Sequence, residues 1–181
     1  MNFPVWKGRS IRWVLLDRDG VINQDSPDYV RSVDQWQPIA GSLEAMARLY
    51  RSGCQLLVVT NQSGIGRGYY PRRELFAMHR KLASLLAAGD SAGVAQIEGV
   101  LFCPHLPDAG CDCRKPAAGL LHQAMSCFHF STDQAVMVGD SARDIQAANG
   151  AGIEAVRVGE AGDFPSLSDW VDGFLKPQQR Q

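Results

Sequence analysis

No stretch of this sequence stays apolar for long: runs such as 14–16 and 56–59 end after three or four residues, whereas a bilayer-spanning helix needs about 20. A secretory leader is missing as well. Residues 1–12 carry Lys7, Arg9 and Arg12 but no apolar segment behind them. Blocks of like charge are absent, and the formal net charge is −1, so the basic stripe of a nucleic-acid binder is not there. Internal repeats and low-complexity linkers are lacking too. Together these absences exclude a membrane-spanning helix, argue against a nucleic-acid partner and predict a soluble, cytoplasmic chain. Disorder is also excluded, because the hydrophobic fraction of 45% and the charged fraction of 20% are those of an ordinary folded domain. The length of 181 residues suits one domain over 1–181, with its core at about 12–175. The five cysteines are an odd number, which does not suit a disulfide framework without an export signal.

Strand and helix signals alternate along the chain. Residues 12–16, 56–59, 97–102, 135–138 and 154–158 read as short apolar strands. Helical spacing marks 42–50 and 75–86, with Ser42 as the expected cap of the first, and 120–128, 141–151 and 167–174 also read as helices. Residues 20–41 read as a long loop, 61–71 as a glycine-rich one, and 177–181 as a frayed tail. Strands that are apolar on both faces indicate a parallel sheet covered by helices on both sides, an α/β, Rossmann-like arrangement. Ligands of such sheets bind outside the carboxyl ends of the strands, and that is where the polar residues gather: 17–20, 60–64, 103–115 and 139–144.

Asp17 and Asp19 end the first strand and Asp140 ends another. Any one of them could simply cap a turn. Two carboxylates held close repel unless a cation sits between them or one is protonated, and Mg²⁺ takes hard oxygen ligands of this kind. The run Thr60-Asn61-Gln62-Ser63-Gly64 offers hydroxyls, amides and backbone N–H groups to a phosphate, although turns use the same residues. Lys115 could neutralise a transferring phosphoryl group, and Arg114 could fork onto a second phosphate or a sugar hydroxyl.

The segment Asp17-Arg18-Asp19-Gly20-Val21-Ile22-Asn23 resembles the first motif of the haloacid-dehalogenase-like phosphatases. Thr60, Lys115 and Gly139-Asp140-Ser141-Ala142-Arg143-Asp144 match the second, third and fourth motifs in order, over residues 12 to about 158. The resemblance implies that Asp17 is the nucleophile, forming an aspartyl-phosphate, and that Asp19 is the general acid and base. It places Thr60 and Lys115 on the phosphoryl oxygens. It also implies Mg²⁺ held by the carboxylates of Asp17 and Asp140 and the main-chain carbonyl of Asp19. No large insert separates the motifs, so a capless domain is expected. Selectivity then falls to loops 25–29, 65–70 and 103–115, with Asp25, Asn61, Gln62, Ser63 and Arg114 as expected substrate contacts.

Cys103, His105, Cys111 and Cys113 form a C-x-H…C-x-C array. Four such ligands suit a closed, structural Zn²⁺ site that holds the 103–113 loop; reduced surface thiols beside a chance histidine are the plainer alternative. Cys54 and Cys127 read as small apolar residues. The array followed by Arg-Lys-Pro is similar to a branch of the family that includes heptose-bisphosphate and histidinol-phosphate phosphatases. The resemblance implies removal of the C7 phosphate of a heptose 1,7-bisphosphate in lipopolysaccharide synthesis, with histidinol phosphate as the alternative. The small phosphorylated sugar is the expected partner, and a monomer is expected. A polynucleotide 3′-phosphatase would share the first motif but should carry a basic stripe. A zinc-stabilised binding module without catalysis would not need both Asp17 and Asp19.

Overall fold

The computed structural model describes residues 3–176. The chain opens with a two-stranded antiparallel ribbon, β1 (Val5–Trp6) and β2 (Arg9–Ser10). It then enters the central sheet at β3 (Trp13–Leu16). After a long loop come α1 (Ser42–Arg51), β4 (Gln55–Asn61), the one-turn α2 (Ser63–Gly66) and α3 (Arg72–Gly89). The second half runs β5 (Gly99–Cys103), α4 (Gly119–Phe128), β6 (Ala135–Gly139), α5 (Ala142–Ala151), β7 (Glu154–Arg157) and α6 (Leu167–Phe174). The five strands are all parallel, in the order β5-β4-β3-β6-β7.

Side chains on a strand alternate between faces, and here both faces are buried. Val14 and Leu16, with Leu56, Val58, Val136 and Val138, pack on one side beneath α1, α3 and α6, where Trp170 and Phe174 lie. Trp13, Leu15, Leu57, Val59 and Met137 face the other way, beneath Leu120, Leu121 and Ala124 of α4 and Ala147, Ala148 and Ala151 of α5. Short apolar strands without in–out alternation follow directly from this sandwich.

The topology decides where a ligand can go. From β3 the chain winds outward to β4 and β5, then returns to the other side of β3 for β6 and β7. A parallel sheet splays open where the winding reverses, and its ligand crevice lies there. The register puts Leu16 beside both Val58 and Val138. Asp17, Thr60 and Asp140 therefore leave the sheet at one edge, despite more than a hundred residues of separation in sequence.

Three local features differ from the expectations. Gly41, in the left-handed region at φ 80°, is the cap position of α1; Ser42 is instead buried and donates from Oγ to the Ile22 carbonyl at 2.7 Å. The β1–β2 ribbon and the α2 turn were not expected, since segments of two to four residues carry no periodicity. The expected tail at 177–181 lies outside the described residues. No helix among the described residues is long and apolar enough to cross a membrane.

Candidate active site and metal centre

Asp17 is fixed at the end of β3 by its own N–H, which donates to the Val138 carbonyl at 2.9 Å. Its carboxylate, with those of Asp140 and Asp144, forms a cluster in which the ligand oxygens lie within 4.8 Å of one another. Two glycines make that approach possible. Gly20 sits at φ +81°, and a Cβ there would fall 2.1 Å from Asp140 Oδ2; a Cβ on Gly139 would fall 2.2 Å from Asp144 Cβ. Lys115 is buried among these acids, its Nζ 3.0 Å from Asp17 Oδ1 and 2.6 Å from Asp144 Oδ1, and it donates to the Val59 carbonyl at 2.7 Å.

With all three carboxylates ionised, one ammonium would leave two negative charges in excess. The titration of the groups reflects this. Burial, reinforced by the charges of Asp144 and Asp19, pushes the Asp17 carboxyl up to about 7, against the opposing pull of Lys115. Burial and Asp144 also raise Asp140. Burial by itself would depress Lys115, but Asp17 and Asp144 outweigh it and hold the ammonium above its usual range. Burial would raise Asp144 as well, yet Lys115 and the Ser141 hydrogen bonds keep it low. A set of hard oxygens with a surplus of two negative charges fits Mg²⁺. Only 1% of the Asp144 side chain is exposed, against 14% for Asp17, so Asp17 is the more open of the two acids paired with Lys115.

A cavity of about 310 Å³ opens at this edge and gathers Asp17, Asp19, Asp25, Thr60, Asn61, Gln62, Ser63, Arg114, Lys115 and Asp140 into its lining. Every residue singled out in the sequence for catalysis, magnesium or substrate is there. Two of them are engaged in ways the sequence did not suggest. Asn61 exchanges hydrogen bonds with the Lys115 main chain (2.9 and 3.0 Å), which sets the height of the lysine. Gln62 donates from Nε2 to Asp19 Oδ2 at 2.8 Å and to Thr60 Oγ1 at 2.9 Å. Gln62 is buried and Asn61 half-buried, and polar groups out of water must be paired; these two, read as substrate contacts, bond neighbouring site residues.

The Asp19 carboxylate is not part of the acid cluster. It accepts from Arg18, Asn23 and Gln62, while Asp144, given no role by the sequence reading, stands with Asp17 and Asp140. Its signal was the spacing of four from Asp140: α5 begins just after Asp140, and its first turn brings position 144 back over the strand end. Arg18 and Arg143 also line the cavity without having been singled out, as do Tyr29 and Tyr70 from the loops expected to set selectivity.

Beside the cavity, Cys103 Sγ lies 3.5 Å from His105 Nδ1 and 3.7 Å from Cys111 Sγ. Cys113 Sγ lies 3.2 Å from His105 Nδ1 and 3.6 Å from Cys111 Sγ. A tetrahedral ion with bonds of about 2.3 Å to sulfur and about 2.0 Å to nitrogen sets adjacent ligands roughly 3.5–3.8 Å apart. Three of the four separations fall in that range and the Cys113–His105 one is shorter, so the four ligand atoms are close enough to share one ion. The loop they gather leads straight into Arg114 and Lys115, and Arg114 Nη1 reaches back to the His105 carbonyl at 3.4 Å.

A family model described as HAD-hydrolase-like matches residues 112–163. The D-glycero-beta-D-manno-heptose-1,7-bisphosphate 7-phosphatase of Pseudomonas putida is 43% identical over 148 residues, 82% of each chain. The protein of the same name from Pseudomonas aeruginosa is 46% identical over 146 residues, 80% of this chain and 79% of that one. Among solved structures, the D,D-heptose 1,7-bisphosphate phosphatase of B. bronchiseptica, complexed with magnesium and phosphate, superposes with a TM-score of 0.83 at 33% identity, covering 91% of this chain and 98% of the other.

Proposed function

The chain belongs to the haloacid-dehalogenase-like hydrolases, and we propose that it is the member that removes the C7 phosphate of D-glycero-D-manno-heptose 1,7-bisphosphate on the way to lipopolysaccharide heptose. The observation that carries this reading is the identity of 43–46% to phosphatases of that name over four-fifths of the chain. The same reading takes the chain to be a cytoplasmic monomer that needs neither nucleic acid nor membrane.

Asp17 attacks phosphorus as the P–O bond to the sugar breaks, forming an aspartyl-phosphate, and Asp19 gives its proton to the departing oxygen. Asp19 then takes a proton from the water that hydrolyses the intermediate. Thr60 and Lys115 hold the phosphoryl oxygens. Asp17, Asp140 and Asp144, with the Asp19 main-chain carbonyl, would hold Mg²⁺, whose charge lets an anionic nucleophile meet an anionic phosphate. The test is phosphate release from the heptose bisphosphate and from histidinol phosphate side by side. A higher kcat/KM on the bisphosphate is expected, and preference for histidinol phosphate would overturn the assignment.

The cysteine–histidine cluster is proposed to hold structural Zn²⁺, and elemental analysis of unchelated protein should find about one zinc per chain. Stripping it should loosen the segment that carries Arg114 and lower activity while Mg²⁺ binding persists. Zinc-free protein of full activity would count against this.

Arg114 lines the cavity, and among the described residues its side chain makes one long hydrogen bond, so its guanidinium is available to grip the C1 phosphate remote from the reaction. Losing a charge-assisted hydrogen bond costs about 1.5–3 kcal/mol. Arg114→Ala should therefore lower kcat/KM for the bisphosphate by about ten- to a hundredfold. p-Nitrophenyl phosphate has no second phosphate and should lose much less; equal losses would place Arg114 at the reacting phosphate or in the fold.

A further inference from the structure

Arg18 lies between the two acids of the first motif, and only 1% of it is exposed. A buried guanidinium is costly unless it is paired, and the ionic partner of this one is Asp19. Nη2 bonds both carboxylate oxygens, at 2.9 and 3.0 Å, and Nε adds a contact of 3.2 Å to Oδ1. Two further donors complete the cradle. Asn23 Nδ2 reaches Asp19 Oδ1 at 2.8 Å and Gln62 Nε2 reaches Oδ2 at 2.8 Å. Each of these amides is itself held. Trp36 Nε1 donates to Asn23 Oδ1 at 3.0 Å, and the Tyr70 hydroxyl donates to Gln62 Oε1 at 2.5 Å. Trp36, Asn23, Gln62 and Tyr70 are all buried, so the cradle is anchored in the core, whereas 21% of the Asp19 side chain is exposed.

Stability alone does not account for this. A buried ion pair is weak evidence for stability, since apolar residues of similar volume often do as well. What a planar fork supplies that they cannot is direction, because it fixes the carboxylate plane. The geometry points to Arg18 as the positioning residue for the Asp19 carboxyl, fixing the direction along which it exchanges a proton with the leaving group. The inference rests on the acid–base role proposed above for Asp19. When the P–O bond breaks, its electron pair goes to the leaving oxygen and the Asp19 proton follows it. In the second half the same oxygen of Asp19 takes a proton from water. A carboxyl held an ångström or so off that line loses most of its effect.

The experiment compares kcat/KM for phenyl phosphate and p-nitrophenyl phosphate, two esters of like shape. The more basic phenol oxygen needs a proton as it leaves, and nitrophenolate does not. In Asp19→Asn the phenyl-to-nitrophenyl ratio should fall by about 10²–10⁴-fold, the usual worth of a general acid. In Arg18→Met it should fall by about ten- to a hundredfold, and Arg18→Lys, which keeps the charge but not the fork, should recover part of it. A purely structural role would lower both esters alike and leave the ratio at the wild-type value; that result overturns the inference. If Arg18→Met does not unfold cooperatively, the ratio in Arg18→Lys decides by the same criterion. An unchanged ratio in Asp19→Asn would overturn the acid–base role and this inference with it. A changed ratio there and an unchanged one in the Arg18 variants would overturn the inference alone.

Discussion

Asp17→Asn should abolish turnover while leaving the fold intact, with kcat falling by about four orders of magnitude or more, the scale on which loss of a nucleophile is felt elsewhere. The amide has the shape of the acid but cannot attack phosphorus. Stability provides an independent check with a definite sign. The folded-state carboxyl is raised to about 7 by burial and by Asp144 and Asp19. A raised carboxyl favours the fold at low pH and loses that contribution as pH climbs from the ordinary carboxylate range through about 7. With chelator present, the asparagine variant should therefore melt above wild type at pH 8, and the two should converge near pH 4. Added Mg²⁺ should raise the wild-type Tm more than the variant's, because only wild type presents the full acid cluster. Residual kcat above a few per cent of wild type, after contamination is excluded, would remove Asp17 from the nucleophile's role.

The sheet was legible because its strands are apolar on both faces and break off at acids. Residues 12–16 and 135–138 can hardly be read otherwise, and the parallel order then delivers Asp17 and Asp140 to one edge. The helix of 42–50 was legible from the spacing of its apolar residues. Connections were harder. Trp36 is fully buried in a segment with no period, because it packs as a single anchor whose Nε1 holds Asn23. Within the site, residue identity announced the charges but not their assignments. Gln62 reads as a phosphate donor until Tyr70 and Thr60 are found beside it, contacts set by the α2 turn and by Gly64, where a Cβ would lie 2.4 Å from the Tyr70 ring. Arg18 reads as a spacer between two acids, and only its burial shows that the side chain turns inward. Asp144 depends on where α5 starts, and helix starts are uncertain by a residue or two.

Lys115→Met should damage both stability and chemistry, and magnesium should repair only the first. Methionine replaces the stem of the lysine well but leaves Asp17 and Asp144 facing each other with no cation between them. Breaking a buried pair by removing one member costs about 3–5 kcal/mol. At about 2–4 °C per kcal/mol for a chain of this size, the chelated variant should melt roughly 10 °C below wild type. A divalent ion bound by Asp17, Asp140 and Asp144 screens the same repulsion, so millimolar Mg²⁺ should recover much of the lost Tm through binding to the folded state. Turnover should not return with it. The ammonium is held at 2.7 Å by the Val59 carbonyl and at the height of Asp17 by the Asn61 clamp on its main chain. From there it is proposed to meet the phosphoryl oxygens as charge builds on them, and removing one such preorganised donor costs about 10²–10³ in kcat. The measurement is a melting curve with chelator and with Mg²⁺, paired with kcat at saturating Mg²⁺. An unchanged Tm in chelator would mean that the acids are not ionised together in the folded protein. Full kcat in Mg²⁺ would mean that Lys115 serves the acids alone and never the phosphate.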